Sequence, residues 1–529
     1  MKEAVLLGAE AIAQGAIDAG MSGVYAYPGT PSTEITEYVQ RNAFAREAGI
    51  HSEWSANEKT AMESGIGMSY AGKRAMVCMK HVGLNVAADA FINSAITGSG
   101  GGLLVVVADD PSMHSSQNEQ DSRFYAEFAL LPVLEPVNQQ EAYDMAYKGF
   151  ELSERFKLPI LMRITTRLAH SRAKVLRNEQ VPENELKLPE DKTQFILLPG
   201  IARKRYKGLL ELQPDLIKAS EESEFNQFFD GKDKSMGVIC CGIAHNYLME
   251  NYPDGCQFPV LKIGQYPLPV ELIRRMTESC ERVLVLEESY PLLEEKLKGI
   301  LNNGPIQISG RLDGSVPRDG ELNPDIVRKA MGMLPDEGPD IPDVMVNRPP
   351  ALCKGCGHID TYRALLEALE EFGDGRTFSD IGCYTLGALP PYNAINSCVD
   401  MGASITMAKG AADAGLIPAV AMIGDSTFTH SGMTGLLDIV NEKTPVTVII
   451  SDNETTGMTG GQTSAALGRI ESICLGIGVE EDHLRLITPL KKFHEDNVII
   501  MQEELKYDGV SVIVSRRECI QTALKKKRK

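Results

Sequence analysis

Residues 419–462 read AVAMIGDSTFTHSGMTGLLDIVNEKTPVTVIISDNETTGMTGGQ, and this stretch decides the fold. An apolar run ends in Gly424-Asp425-Ser426. A helical segment follows, and a second, β-branched run ends in Asp452-Asn453-Glu454-Thr455. Two such runs joined by a helix are parallel strands of an α/β sheet, which delivers its ligand-binding residues beyond the carboxyl ends of the strands. Mg²⁺ takes oxygen ligands in near-octahedral geometry at roughly 2.1 Å, usually one or two protein groups plus phosphates. Asp425 offers a carboxylate, Asn453 an amide oxygen and Thr455 a backbone carbonyl. Gly424 lets the backbone come close, and Ser426 beside it is a further cofactor-binding candidate. A helix expected to begin near Met433 would aim its amides at a diphosphate. The turn Gly457-Met458-Thr459, followed by Gly460-Gly461-Gln462, adds a glycine-rich loop at the same place. The spacing also fits two ordinary βα turns of a nucleotide-free domain, where Gly-Asp and Asp-Asn are common turn dipeptides.

Composition narrows the partners. The chain has 529 residues and a formal charge of −19, which disfavours nucleic acid and anionic membrane. No apolar window is long enough to span a bilayer, and the N-terminus lacks the form of a secretory signal. Eleven cysteines, an odd number, are scattered along the chain. That usage fits reduced thiols and a cytoplasmic location.

Periodicity predicts a helix over residues 2–20 and short or buried strands at 24–27, 75–79, 103–108 and 158–164. Further strands are expected at 237–241, 260–263, 282–286, 306–308 and 510–515. The expected fold is α/β, with two doubly wound parallel-sheet domains flanking a smaller α/β domain. The expected division is 1–180, a linker over 181–234, 235–312, a linker over 313–350, and 351–529.

This arrangement suits a thiamine diphosphate enzyme, with one large domain holding the diphosphate and the other the aminopyrimidine. The second half-site needs a carboxyl group for the pyrimidine N1′. Glu58, at the start of a small-residue helix, is the first choice, with Glu53 and Glu63 as rivals. A glutamate at a helix start also serves simply as a dipole partner.

Specific segments carry a resemblance: YPGTPSTE (27–34), NEKTAMESGIGMSYAGKRAMVCMKHVGLNVAADAF (57–91), DDPSMHSSQNEQDSRFY (109–125), RITTRLAHS (163–171), SDIGCYTLG (379–387) and GDSTFTHSG (424–432). Over nearly its whole length the chain resembles the large subunit of indolepyruvate:ferredoxin oxidoreductases, within the 2-oxoacid:ferredoxin oxidoreductases. The resemblance implies pyrimidine- and pyrophosphate-binding domains around a transketolase-C-terminal-like domain. It implies conversion of an aryl 2-oxoacid and coenzyme A to acyl-CoA and CO₂, with electrons leaving through iron–sulfur clusters. It implies that Glu58 contacts N1′, that Thr30 approaches the substrate carboxylate, and that Leu386 supports the bent cofactor. It also implies a small (beta) subunit and ferredoxin, or a ferredoxin-like carrier, as partners, in a hetero-oligomer or homodimer.

Cys353-Lys354-Gly355-Cys356, Cys383 and Cys519 resemble the four ligands of a [4Fe–4S] cluster in related pyruvate enzymes. Four thiolates suit iron–sulfur or zinc, and a zinc site using His358 is the alternative, as is a plain set of buried thiols. The large subunits usually carry a ferredoxin-like domain with two further cysteine clusters, and no such run occurs here. Pyruvate enzymes use an arginine where this chain has Asp109-Asp110, so simple pyruvate is a poorer fit. Arg123, His114, Gln117 and His81 are polar candidates for the site; the first three also fit an exposed loop, and His81 a plain turn. Two other functions compete: a non-oxidative thiamine-dependent decarboxylase or carboligase, and a non-catalytic assembly subunit.

Overall fold

Strands covered by helices on both faces read as continuous apolar runs rather than alternating ones, and three sheets of this kind organise the chain. The computed structural model describes residues 2–191, 193–301, 304–334, 344–345 and 350–528. The chain forms two units, Met1–Pro339 and Asp340–Lys529.

Unit one contains two sheets. In the seven-stranded sheet the spatial order is Gln265–Tyr266, Val133–Leu134, Ile160–Thr165, Leu103–Asp109, Ala75–Lys80, Gly23–Ala26, His51–Trp54. Its strands are parallel except Gln265–Tyr266, which runs antiparallel to Val133–Leu134. In the central pairs Lys80 faces Ala108 and Asp109 faces Thr165, so these residues share the carboxyl edge of the sheet. The five-stranded sheet has the order Gln307–Ser309, Arg282–Leu286, Gly237–Cys241, Val260–Ile263, Gln227–Phe229, with only the last strand antiparallel.

Unit two is built on a six-stranded parallel sheet: Ser397–Cys398, Thr377–Ser379, Ala419–Gly424, Val446–Asp452, Ser511–Arg516, Leu484–Ile487. Gly424 pairs with Ser451, and Ser451 with Ser515. Among the described residues no helix is long and apolar enough to cross a membrane.

Several expectations are corrected. Residues 2–20 are not one helix: Lys2–Leu7 is a strand pairing antiparallel with Arg172–Arg177, and the helix runs from Gly8 to Asp18. The stretch over 181–234, expected as a linker with some helix, holds the 23-residue helix Pro199–Glu221, and it also supplies an unexpected strand, Gln227–Phe229, which joins the five-stranded sheet. The strand expected at 306–308 lies at Gln307–Ser309. Part of the second expected linker, 335–343 and 346–349, lies outside the described residues; within it, Pro324–Ala330 is a helix capped by Asn323.

Candidate functional site

In unit two, adjacent parallel strands set Asp425 and the Asp452–Asn453 turn side by side at the carboxyl edge. The helix does not wait until Met433. Helical backbone begins at Asp425 and passes through a π-helical turn, Phe428–Gly432, into Met433–Glu442. The serines, threonines and glycines of this stretch read locally as a loop, yet the segment is buried and the helix forms. Gly424 has no room for a side chain, since a Cβ there would lie 2.6 Å from the Tyr384 ring. Tyr384 is in turn hydrogen-bonded to the buried Asp380.

Three acceptors at this edge are buried without a hydrogen-bond partner: Asp425 Oδ2, Asp452 Oδ1 and Ser451 Oγ. Buried acceptors left unpaired are costly, so the edge is built for a donor or a cation. Burial, followed by the neighbouring Asp452 carboxylate, pushes Asp425 up to about 7, opposed by the backbone amides of Ser426 and Glu454 and the Ser464 hydroxyl. Asp452 is held by Arg516 Nε at 2.5 Å. Asn453 Oδ1 accepts the Thr455 amide at 3.1 Å. Ser426 Oγ lies 3.0 Å from Thr456 Oγ1. Thr459 Oγ1 bonds Gln462 Oε1 at 2.6 Å and so folds the glycine-rich loop onto itself, while Met458 on its tip is exposed.

One cavity in this unit gathers Cys353, Cys356, Cys383 and Cys519 with Leu386, Asp452, Asn453 and Gly457. Cys383 lies against the glycine-rich loop, closely enough that a Cβ on Gly457 would stand 3.2 Å from its Sγ. Burial, followed by the other three cysteines, raises the Cys383 thiol to about 12. Among the described residues, no three His, Cys, Asp or Glu side chains converge to hold a single metal ion. His358 is buried, with Nδ1 3.2 Å from Cys356 Sγ, and Gln521 Nε2 lies 3.5 Å from Cys353 Sγ.

In unit one, Glu58 opens the helix Glu58–Tyr70 behind the Asn57 cap and is buried. Its side chain lies so close to Gly83 that a Cβ there would stand 2.6 Å from Glu58 Oε1. The two rivals are exposed where Glu58 is buried: Glu53 faces solvent, and Glu63 pairs with Lys59. Thr30 sits half-buried in the loop after Gly23–Ala26, and its carbonyl accepts the Ser115 hydroxyl at 3.3 Å. His81 opens the next helix; it is buried, with Nε2 3.3 Å from the Asn118 carbonyl and Nδ1 unpartnered.

Arg123 is corrected. Its guanidinium is buried and fully engaged by Asp121, Glu287, Tyr266 and the carbonyls of Glu288 and Tyr290, which leaves nothing to offer a substrate. His114 and Gln117 are exposed, and His114 pairs with Glu321 at 3.2 Å.

Two features escaped the sequence. Arg163 donates to Asp109 at 2.6 Å and to Glu135 at 2.5 Å, and Tyr266 bonds the other Glu135 oxygen at 2.7 Å. With Arg123, this forms a buried ionic network tying the seven-stranded sheet to the end of Arg282–Leu286. Its members lie far apart in the chain, so no spacing reveals it. Lys80 is the second feature. Its charge, closing an otherwise apolar strand, was the available signal.

Comparison with known proteins follows these two edges. Residues 14–204 match the model for the pyruvate flavodoxin/ferredoxin oxidoreductase thiamine diphosphate-binding domain. Residues 380–477 match that for the C-terminal TPP-binding domain of thiamine pyrophosphate enzymes. The indolepyruvate oxidoreductase subunits IorA of Methanothermobacter thermautotrophicus and Archaeoglobus fulgidus are each 38% identical over 97% of this chain and 86% of their own length. A solved 2-oxoglutarate:ferredoxin oxidoreductase from Magnetococcus marinus, with 2-oxoglutarate, coenzyme A and succinyl-CoA bound, shares the fold. It aligns with a TM-score of 0.51 and 15% identity over 62% of this chain and 65% of that one. By this near full-length likeness, the chain belongs to the IorA family of indolepyruvate oxidoreductase subunits.

Proposed function

We propose that this chain is the thiamine diphosphate-binding subunit of a 2-oxoacid:ferredoxin oxidoreductase, acting on an indolepyruvate-like aryl 2-oxoacid with coenzyme A to give acyl-CoA and CO₂. The observation that carries this reading is the row of orphaned acceptors at the Asp425 edge, in a chain whose relatives are IorA subunits. Bound thiamine diphosphate would supply a thiazolium carbon acid and an electron sink for decarboxylation. Asp425, Asn453 and the Thr455 carbonyl would hold Mg²⁺, and the amides that open the helix at Asp425 favour an anion. Leu386 and the loop from Gly457 to Thr459 would line the cofactor. The buried Glu58 carboxyl would hold the pyrimidine N1′, with Gly83 leaving room for that carboxyl. In this reading residues 1–180 form the pyrimidine domain and 351–529 the pyrophosphate domain.

The four-cysteine cavity, lined also by Leu386 and Asn453, would hold a [4Fe–4S] cluster that takes electrons one at a time. This feature favours oxidative over non-oxidative decarboxylation. A small subunit and ferredoxin would complete the enzyme, working in the cytoplasm.

The test is anaerobic reduction of a viologen dye by this chain with its small subunit, given indolepyruvate and coenzyme A. Dye reduction that requires all three additions is expected; none with any aryl 2-oxoacid overturns the reading.

A further inference from the structure

Lys80 closes the strand Ala75–Lys80 at the carboxyl edge of the seven-stranded sheet, level with Ala108. Two loops cover it. The loop after Gly23–Ala26 comes so close that a Cβ on Gly29 would lie 3.3 Å from Lys80 Cβ. The loop after Leu103–Asp109 supplies Ser115, whose carbonyl accepts Lys80 Nζ at 2.7 Å and whose hydroxyl accepts it at 3.2 Å. The same hydroxyl reaches the Thr30 carbonyl at 3.3 Å. Lys80, Thr30 and Ser115 are thus one cluster, and the residue after Lys80 is His81, with its buried, unpartnered Nδ1.

The amine is short of a counter-ion. An ammonium has three donors; two go to Ser115, and among the described residues Lys80 forms no ion pair. Its nearest carboxylate in the electrostatic sense is Asp110. That group belongs to the same cluster but reaches Lys80 only through Ser115: it accepts the Ser115 amide at 2.8 Å and hydroxyl at 3.3 Å, the Ser116 hydroxyl at 2.5 Å and the Thr166 hydroxyl at 2.6 Å. Lys80 is only 8% exposed, and burying a cation without a paired anion is expensive. Burial accordingly pulls its amine down to about 8, with Asp110 opposing.

We propose that Lys80 is a substrate-binding residue that receives the carboxylate of the 2-oxoacid through its third N–H, beside Thr30 and His81. The proposal rests on the oxidoreductase reading above and adds the group that makes a carboxylate, rather than an amide or ester, the recognised end of the substrate. A charge-assisted hydrogen bond to a buried amine discriminates by about tenfold to a hundredfold.

The experiment uses the full chain with its small subunit. Indole-3-acetate and indole-3-acetamide differ in charge and hardly in shape, and each is titrated by calorimetry and as an inhibitor of dye reduction. The unaltered complex is expected to prefer the acetate by at least about tenfold. In Lys80→Met that preference falls towards one and KM for indolepyruvate rises by a similar factor, while thiamine diphosphate affinity stays unchanged. Lys80→Arg keeps the preference in part. Equal binding of the two probes by the unaltered complex overturns the proposal, even if Lys80→Met fails to fold. So does a Lys80→Met complex that keeps the preference. A complex that prefers the acetate yet reduces no dye with any 2-oxoacid overturns the oxidoreductase reading and leaves the carboxylate site standing.

Discussion

The carboxyl edges of the two large sheets are both rich in buried carboxylates, and they handle that charge in opposite ways. In unit one, Asp109, Asp121, Glu135 and Glu287 are answered by Arg163 and Arg123 within the fold. In unit two, Arg516 reaches Asp452, while Asp425 Oδ2 and Asp452 Oδ1 remain without partners. At the first edge arginines answer the carboxylates, although Asp109 Oδ1 still lacks a partner; at the second, among the described residues, no cation is paired with Asp425. Where a parallel sheet balances its own edge, the charges are structural. Where a buried carboxylate has no arginine or lysine beside it, as at Asp425, a bound cation is the remaining way to answer its charge.

The largest effect should come from the balanced edge. Arg163→Met strands Asp109 and Glu135 without their cation, and removing one partner of a buried pair costs about 3–5 kcal/mol. Denaturant unfolding of the variant measures this, and a loss below about 1 kcal/mol would show that the network is not structural.

At the incomplete edge the expected effect is on binding rather than on folding. Asp425→Ala should weaken Mg²⁺–thiamine diphosphate binding by more than about a hundredfold, since even partners outside a metal's own ligands cost up to that, and it should leave the fold intact. Calorimetry showing unchanged affinity would remove Asp425 from the cation site. The sign of the pH dependence follows from the raised Asp425. A cation must displace the proton held up to about pH 7, so affinity should drop about tenfold per unit below that and level off above. The same shift makes the metal-free fold lose stability as pH rises from the ordinary carboxylate range towards 7, because the unfolded chain releases the proton first. An affinity flat from pH 5.5 to 8 would contradict both statements.

The smallest expected effect is at the cysteine cavity. Cys383→Ser should lower the iron content of anaerobically purified protein without shifting its melting temperature by more than a few degrees. Unchanged iron would take Cys383 off the ligand set and leave the cavity a packing feature.

Sequence reading served well where information is local. The strands Ala75–Lys80, Leu103–Asp109 and Ala419–Gly424 were visible because burial on both faces demands unbroken apolar runs. The 28-residue step from Asp425 to Asn453 marked one edge for the same reason: consecutive parallel strands return their carboxyl ends to one side. Glu58 was a choice among three carboxylates, and exposure of Glu53 and Glu63 is a tertiary fact. The helix read over residues 2–20 failed at its start because the partner of Lys2–Leu7 lies about 170 residues away, at Arg172–Arg177. Arg123 looked like a loop arginine near a site, and only the packing of Asp121, Glu287 and Tyr266 around it shows a structural anchor.

By itself, then, the chain determined its α/β class, its parallel strands and the residue types offered at each strand end, because periodicity and turn chemistry act over a few residues. Which of those residues are neutralised, and which are left wanting a partner, were settled only in three dimensions. Charge balance and burial are sums over neighbours drawn from distant parts of the chain, and no local pattern contains them.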